Sequence, residues 1–143
     1  MKIEFPKYFS DGEITLTKLE LSFDNAKKLY DVIDHNREHL WIMPWTDKTT
    51  KPEVTYEWLQ SIQPSSSGAY VIMIGDDIVG SIVCVRYSGE DSPNKNAEIG
   101  YWLSKDFVGR GIVSRALKIL EKFLFEAGFN RLEIHMDTKN KAS

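Results

Sequence analysis

The chain is short of the features that mark several protein classes. It has one cysteine, Cys84, in 143 residues, so no internal disulfide can form. That removes a disulfide-stapled scaffold and agrees with a reducing, cytoplasmic setting. Neither sign of charge is in large excess: the net charge is −3 and the isoelectric point about 5.6. A basic face for nucleic acid is therefore not expected, although the mildly acidic balance suits a cationic acceptor. No apolar run approaches membrane-spanning length, and the opening MKIEFPKYF lacks the apolar core of a signal peptide, so no membrane partner is expected. No repeat or low-complexity tract interrupts the chain. A GxGxxG fingerprint and a glycine loop closing on Lys-Ser/Thr are both absent, so dinucleotide and nucleoside-triphosphate readings lack their residues.

What is present is ordinary globular material, 42% hydrophobic and 27% charged. That length and composition predict one soluble domain over residues 1–143 with a real core. Glu13 to Leu19 alternates as a half-buried strand. Ser22 is placed to N-cap a helix running to about His35, with Ala26, Leu29, Tyr30 and Ile33 turned inward. Asn36 to Asp47 is irregular and rich in aromatics. Thr50-Lys-Pro-Glu53 has the form of a capping box opening a helix to about Ile62, with Val54, Trp58 and Ile62 on its apolar side. Pro64-Ser-Ser-Ser-Gly68 ends it. Ala69–Ile74 and Ile78–Tyr87 read as a hairpin around Gly75-Asp-Asp77, buried on both faces. After the polar loop Ser88 to Asn96 come a strand through Ile99–Leu103, a glycine-bearing turn, a long helix and a last alternating strand from Arg131 to Asp137.

The expected order is β, α, α, β, β, β, α, β. That is an α+β layered sandwich: a central sheet, antiparallel early and parallel late, with helices on both faces. The helix between Leu103 and Arg131 suits a right-handed crossover between parallel strands.

The stretch from Ala97 to Gly128 organises the rest. After the strand, Ser104 to Gly111 forms the turn; then Val113, Ala116, Leu117, Leu120, Leu124 and Ala127 recur at helical spacing, and Gly128 stands where a C′ glycine belongs. Gly109 and Gly111 permit positive φ and close approach of a ligand. The helix's first amides, with the positive end of its dipole, make a phosphate site to which Arg110 adds a cation and Ser114 a hydroxyl. The bland alternative is an ordinary strand–helix connection.

Glu98-Ile-Gly-Tyr-Trp-Leu followed by Val108-Gly-Arg-Gly-Ile-Val-Ser-Arg-Ala-Leu resembles the acyl-CoA-binding motif of the GCN5-related N-acetyltransferases (GNAT), most closely the Rim-type ribosomal-protein N-terminal acetyltransferases. Asn36-Arg-Glu-His-Leu-Trp-Ile-Met-Pro-Trp45, Asn130-Arg-Leu-Glu-Ile and Asn140-Lys-Ala-Ser143 agree with it. Two positions depart from the family's Gln/Arg-x-x-Gly-x-Gly/Ala: Val108 replaces the Gln or Arg, and Val113 the last small residue. The amide cradle survives both changes, since any non-proline residue supplies an N–H. The resemblance implies acetyl-CoA as cosubstrate without a metal. It places pantetheine along Trp102 and Leu103, pyrophosphate at Val108 to Ser114 (through Ile112 and Val113), and Asn140 near the pantetheine. It also implies a further helix and strands beyond Ser143, so that the chain reads as a domain cut short at its C-terminus, with an exposed edge strand.

Acetylation of an amine needs a base, and Glu98, at the entrance to the apolar strand, is the candidate; a solvated charge is the alternative. His135 is a weaker rival among outward-alternating residues, and His35 and His39 weaker still. Ser143 matches a family serine near the thioester sulfur. Trp41 and Trp45, with Trp58, either wall the acceptor cleft or form a satellite core. Tyr101 and Cys84 read as core, and Arg115, Lys118, Glu121 and Lys122 as a solvated helix face. The expected activity is transfer of acetyl to a protein N-terminal amine, with a small amine or antibiotic as the alternative acceptor. A non-catalytic acyl-CoA-binding module is the alternative class. Homo-oligomerisation is possible through the exposed edge.

Overall fold

The computed structural model describes residues 4–40, 48–64, 66–87 and 95–135, with backbone only at 39, 40, 85, 86 and 135. One mixed sheet runs in chain order: β1 (Tyr8–Ser10), β2 (Thr15–Thr17), β3 (Gly68–Ile74), β4 (Asp77–Tyr87), β5 (Asn96–Leu103) and β6 (Arg131–His135). The first four pairings are antiparallel and the last, β5 with β6, is parallel. Around the sheet lie α1 (Phe23–His35), the short α2 (Arg37–Leu40), α3 (Pro52–Ser61) and α4 (Ile112–Glu126). The α+β layered class is as expected.

Alternation along the strands sends side chains into two cores. Tyr70, Ile72, Ile82, Ile99 and Leu103 pack under α4, against Ile112, Val113, Ala116, Leu120 and Leu124. Val71, Ile78 and Trp102 pack on the other face with Leu29 and Ile33 of α1 and Leu59 of α3. Each fully buried leucine contributes about 1.5–3 kcal/mol. Two register shifts interrupt β4. One lets Val79 and Ile82 share a face, and the other lies between Cys84 and Arg86. Each extra residue reverses the in–out parity of the residues beyond it.

The ends of the helices obey local chemistry. The Ser22 hydroxyl accepts the Asn25 N–H at 3.1 Å, so the α1 cap forms as the sequence predicts. At the end of α4, Gly128 has φ +104°, its N–H reaches Phe125 O, and Phe129 N–H reaches Leu124 O, which is the Schellman arrangement. The capping box at Thr50 does not form. The N-cap of α3 is Lys51, extended at φ −158° and ψ 159°, with Pro52 at N1. A residue before proline is pushed out of the α region, so Lys51 cannot be a first helical residue, and Thr50 is displaced from the cap. The buried side of α3 is also rotated from expectation: Thr55, Leu59 and Ile62 face inward, while Val54 and Trp58 are half-buried.

Other differences are local. β1 is an additional strand, hairpinned to β2 through a turn in which Asp11 Oδ1 accepts the N–H groups of Glu13 and Ile14. On α4, Ala127 is exposed and Leu117 only partly buried. Arg115 is not simply solvated; it pairs with Asp11 and Glu13, tying the hairpin to α4. Arg37–Leu40 is helical where an irregular stretch is expected.

Candidate active site

The site is built at the C-terminal end of β5. The strand leaves the sheet at Leu103, Ser104 N–H bonds Val79 O at 2.7 Å, and Lys105–Phe107 makes one 3₁₀ turn. Gly109 (φ +78°) and Gly111 (φ +75°) then take the left-handed conformation on either side of Arg110. An added Cβ would meet nothing within 4 Å at either position, so backbone conformation and not crowding calls for glycine there. The space above both glycines is open. Arg110, itself exposed, carries its guanidinium over the Phe107 ring, 5.2 Å from the centroid.

Gly111 is the N-cap of α4 and supplies no side-chain cap. The first helical bond runs from Arg115 N–H to Gly111 O. The amides of Ile112, Val113 and Ser114 therefore stand outside the helix ladder, at the positive end of a 15-residue helix. Ser114 is exposed, while Ile112 and Val113 are buried against the core. This arrangement can hold an anionic phosphoryl group by backbone donors.

The other end of β5 carries Glu98. Ala97, Ile99 and Leu103 belong to the α4 core and Trp102 to the opposite one, so Glu98, Gly100 and Trp102 share the face on which α1 and α3 pack. Glu98 is half-buried and sits in register with Arg86 of β4 and Glu133 of β6. The described register with β6 runs from Asn96↔Arg131 to Gly100↔His135, and β5 itself runs to Leu103. By strand rise, Glu98 lies about 16 Å from Leu103, along one extended track leading to the glycine loop.

A family profile decides what this strand, loop and helix belong to: the acetyltransferase (GNAT) domain matches residues 13–143. The chain is a member of the GNAT acetyltransferase family. Among its relatives is a ribosomal-protein-serine acetyltransferase of Escherichia coli (strain K12), 29% identical over 73% of this chain and 60% of that protein. Another is the Bacillus subtilis (strain 168) protein YdaF, named provisionally as a ribosomal N-acetyltransferase, 27% identical over 91% of this chain and 72% of its own length. A solved neighbour is the microcin C7 self-immunity acetyltransferase MccE in complex with acetyl-CoA and AMP. It superposes with a TM-score of 0.75 and 26% identity over 92% of this chain and 73% of that one.

Against this GNAT framework, the residues expected at the cofactor loop (Val108, Gly109, Arg110, Gly111, Ile112, Val113 and Ser114) do come together at the start of α4, and Trp102 and Leu103 lie on the strand that feeds it. Trp41, Trp45, Asn140 and Ser143 lie outside the described residues. Trp58 packs against the α1–α3 core. Tyr101 is partly buried against the α4 core, and desolvation pushes its hydroxyl above the usual tyrosine range. Cys84 is buried under α4, as a small hydrophobe would be. His35 is exposed and 3.8 Å from Asp106. Among the described residues no group of His, Cys, Asp and Glu is arranged to hold a metal, and no helix is long and apolar enough to cross a membrane.

One residue that the sequence signals did not single out for a role is at the site's edge. Asn36, at the C-cap of α1, is 1% exposed and touches the turn after β5. The sequence marks it only as the first residue of the Asn36–Trp45 stretch that shares the family resemblance, and that gives no sign of its contacts.

Proposed function

We propose that this chain transfers acetyl from acetyl-CoA to a primary amine, and that the acceptor is the α-amine of a protein N-terminus of the ribosomal-protein kind. The observation that carries the cofactor half is the pair of left-handed glycines, Gly109 and Gly111, opening onto the amides of Ile112 to Ser114. Those donors suit the pyrophosphate, with Arg110 as an added cation. Loss of the family's Gln or Arg at Val108 removes a side chain but no amide. Pantetheine would extend along Trp102 and Leu103, on the strand that also carries Glu98. The acceptor half rests on the two ribosomal relatives.

Acetyl-CoA would supply the thioester carbonyl to which the amine nitrogen bonds as the carbon–sulfur bond breaks and the thiolate leaves. The chain's own work is to align the two reactants and to take a proton from the amine. Glu98 serves as that base, directly or through a water, from the half-buried face it shares with Trp102. Trp41, Trp45, Asn140 and Ser143 keep the roles the resemblance implies. We place the enzyme in the cytoplasm.

The experiment is Glu98→Gln with paired readouts. Turnover should fall at least about 100-fold while acetyl-CoA affinity stays near wild type. Unchanged turnover would remove Glu98 from the reaction.

A further inference from the structure

Asn36 is 1% exposed, less than any other buried Asn, Ser or Thr among the described residues. Its Nδ2 donates to Val32 O at 2.7 Å, inside the last turn of α1. Its Oδ1 accepts the Lys105 N–H at 3.0 Å and the Ser104 hydroxyl at 3.3 Å, 69 and 68 residues further along the chain. Only this orientation of the amide works, because a flip would set NH₂ against the Lys105 N–H and oxygen against Val32 O. Ser104 is itself buried, its N–H is held by Val79 O, and its carbonyl accepts the Phe107 N–H at 2.9 Å. Phe107 in turn lies under the Arg110 guanidinium. Asn36 thus begins a chain of contacts that ends in the glycine loop.

We propose that Asn36 is a positioning residue for the cofactor. By fixing Ser104 and Lys105 from the opposite layer of the sandwich, it sets where the Phe107–Gly111 loop stands relative to the end of β5. This rests on the acyl-CoA reading of that loop. The neighbouring His35–Asp106 pair also links α1 to this turn, but it is exposed on both sides and screened by solvent. A buried network with every member satisfied holds one geometry, and removing one member leaves the Lys105 amide and Val32 carbonyl without their partner.

The test is calorimetric binding of CoA to folded wild type, Asn36→Ala, Ser104→Ala, the double variant, and Leu29→Ala as a control for loss of α1 packing. Asn36→Ala should bind CoA roughly tenfold more weakly. Ser104→Ala should bind severalfold more weakly, and the double variant should match Asn36→Ala, since both act through one contact. Leu29→Ala should lose thermal stability and keep wild-type affinity. Should Asn36→Ala fail to fold, Ser104→Ala against Leu29→Ala carries the same comparison. If wild type does not bind CoA, the cofactor reading fails and this proposal with it. If wild type binds and both Asn36→Ala and Ser104→Ala keep its affinity, only the positioning role is overturned. The same holds if Leu29→Ala weakens binding as much as they do.

Discussion

Gly111 and Glu98 pose opposite kinds of test. At Gly111 a side chain has room but the backbone has φ +75°. Gly111→Ala should therefore cost about 1–2 kcal/mol of stability through conformational strain, measured by urea unfolding. It should also weaken acetyl-CoA binding, because relief of the strain moves the amides of Ile112 to Ser114. A stability loss with no effect on binding would separate the loop from the cofactor. Glu98 is a question of chemistry and not of fold, which is why the Glu98→Gln test is read in turnover. The glycines were legible from sequence because their residue type reports a backbone angle. The contribution of Asn36 was not, because its partners lie more than 60 residues away and nothing local to the chain announces them. Glu98 was legible as a candidate only through resemblance; periodicity says that it alternates with buried Ala97 and Ile99, and nothing about a proton.

Among the elements, α4 carries the proposed cofactor loop at its start, and its apolar side is what holds α4. Leu120 and Leu124 are fully buried against β-strand residues. Leu120→Ala should destabilise the protein by about 2–5 kcal/mol in a urea titration, with the spread set by how far the cavity collapses. A second anchor runs from α4 to the β1–β2 turn through Arg115. The Asp11 carboxyl is held below the usual aspartate range, first by the Ile14 N–H, then by the Glu13 N–H, with Arg115 adding to them. A depressed carboxyl pKa means that the stabilisation is complete above the unfolded aspartate value and disappears as pH falls through the folded one. Asp11→Asn should accordingly lower stability at neutral pH and flatten the acid limb of a stability–pH curve below about pH 4. An acid limb identical to wild type would mean that Asp11 contributes nothing measurable from its exposed position.

The same scale shows where sequence reading stops. Ser22 and Gly128 are local signals and formed as read. Thr50 had the right neighbours for a cap but the wrong successor, Lys51-Pro52, and one pre-proline preference outweighed the capping box. Strand β1 has three residues with Tyr8 exposed, too short and too open for alternation to reveal it. The bulges in β4 reverse facing without leaving a mark in composition.

At the scale of the whole molecule, two cores are separated by one sheet, and β5, the strand along which we propose the cofactor lies, runs between them. Binding at that track should be read by the entire fold. Acetyl-CoA at a hundredfold excess over its dissociation constant should stabilise the native state by about 2.7 kcal/mol, visible as a raised thermal midpoint, with CoA acting alike and ATP giving none. An equal shift with ATP would indicate a general phosphate site. Strand β6 closes the described sheet as an edge with Ile134 44% exposed. The architecture of this chain was readable because helical spacing in α1 and α4 stands apart from the short apolar strand runs, whereas the acceptor is a proposal that rests on likeness to relatives.

The most direct test of the account is a single-turnover incubation of the protein with acetyl-CoA and two peptides of ribosomal-protein sequence, one with a free α-amine and one with that amine blocked. Product would be mapped by mass spectrometry and thiol release monitored in parallel. The account predicts acetyl on the α-amine of the first peptide, one thiol released for each acetyl transferred, and no reaction with the second. Thiol release without acetylpeptide, equal labelling of side-chain amines in both peptides, or CoA binding with no transfer to any amine would contradict it.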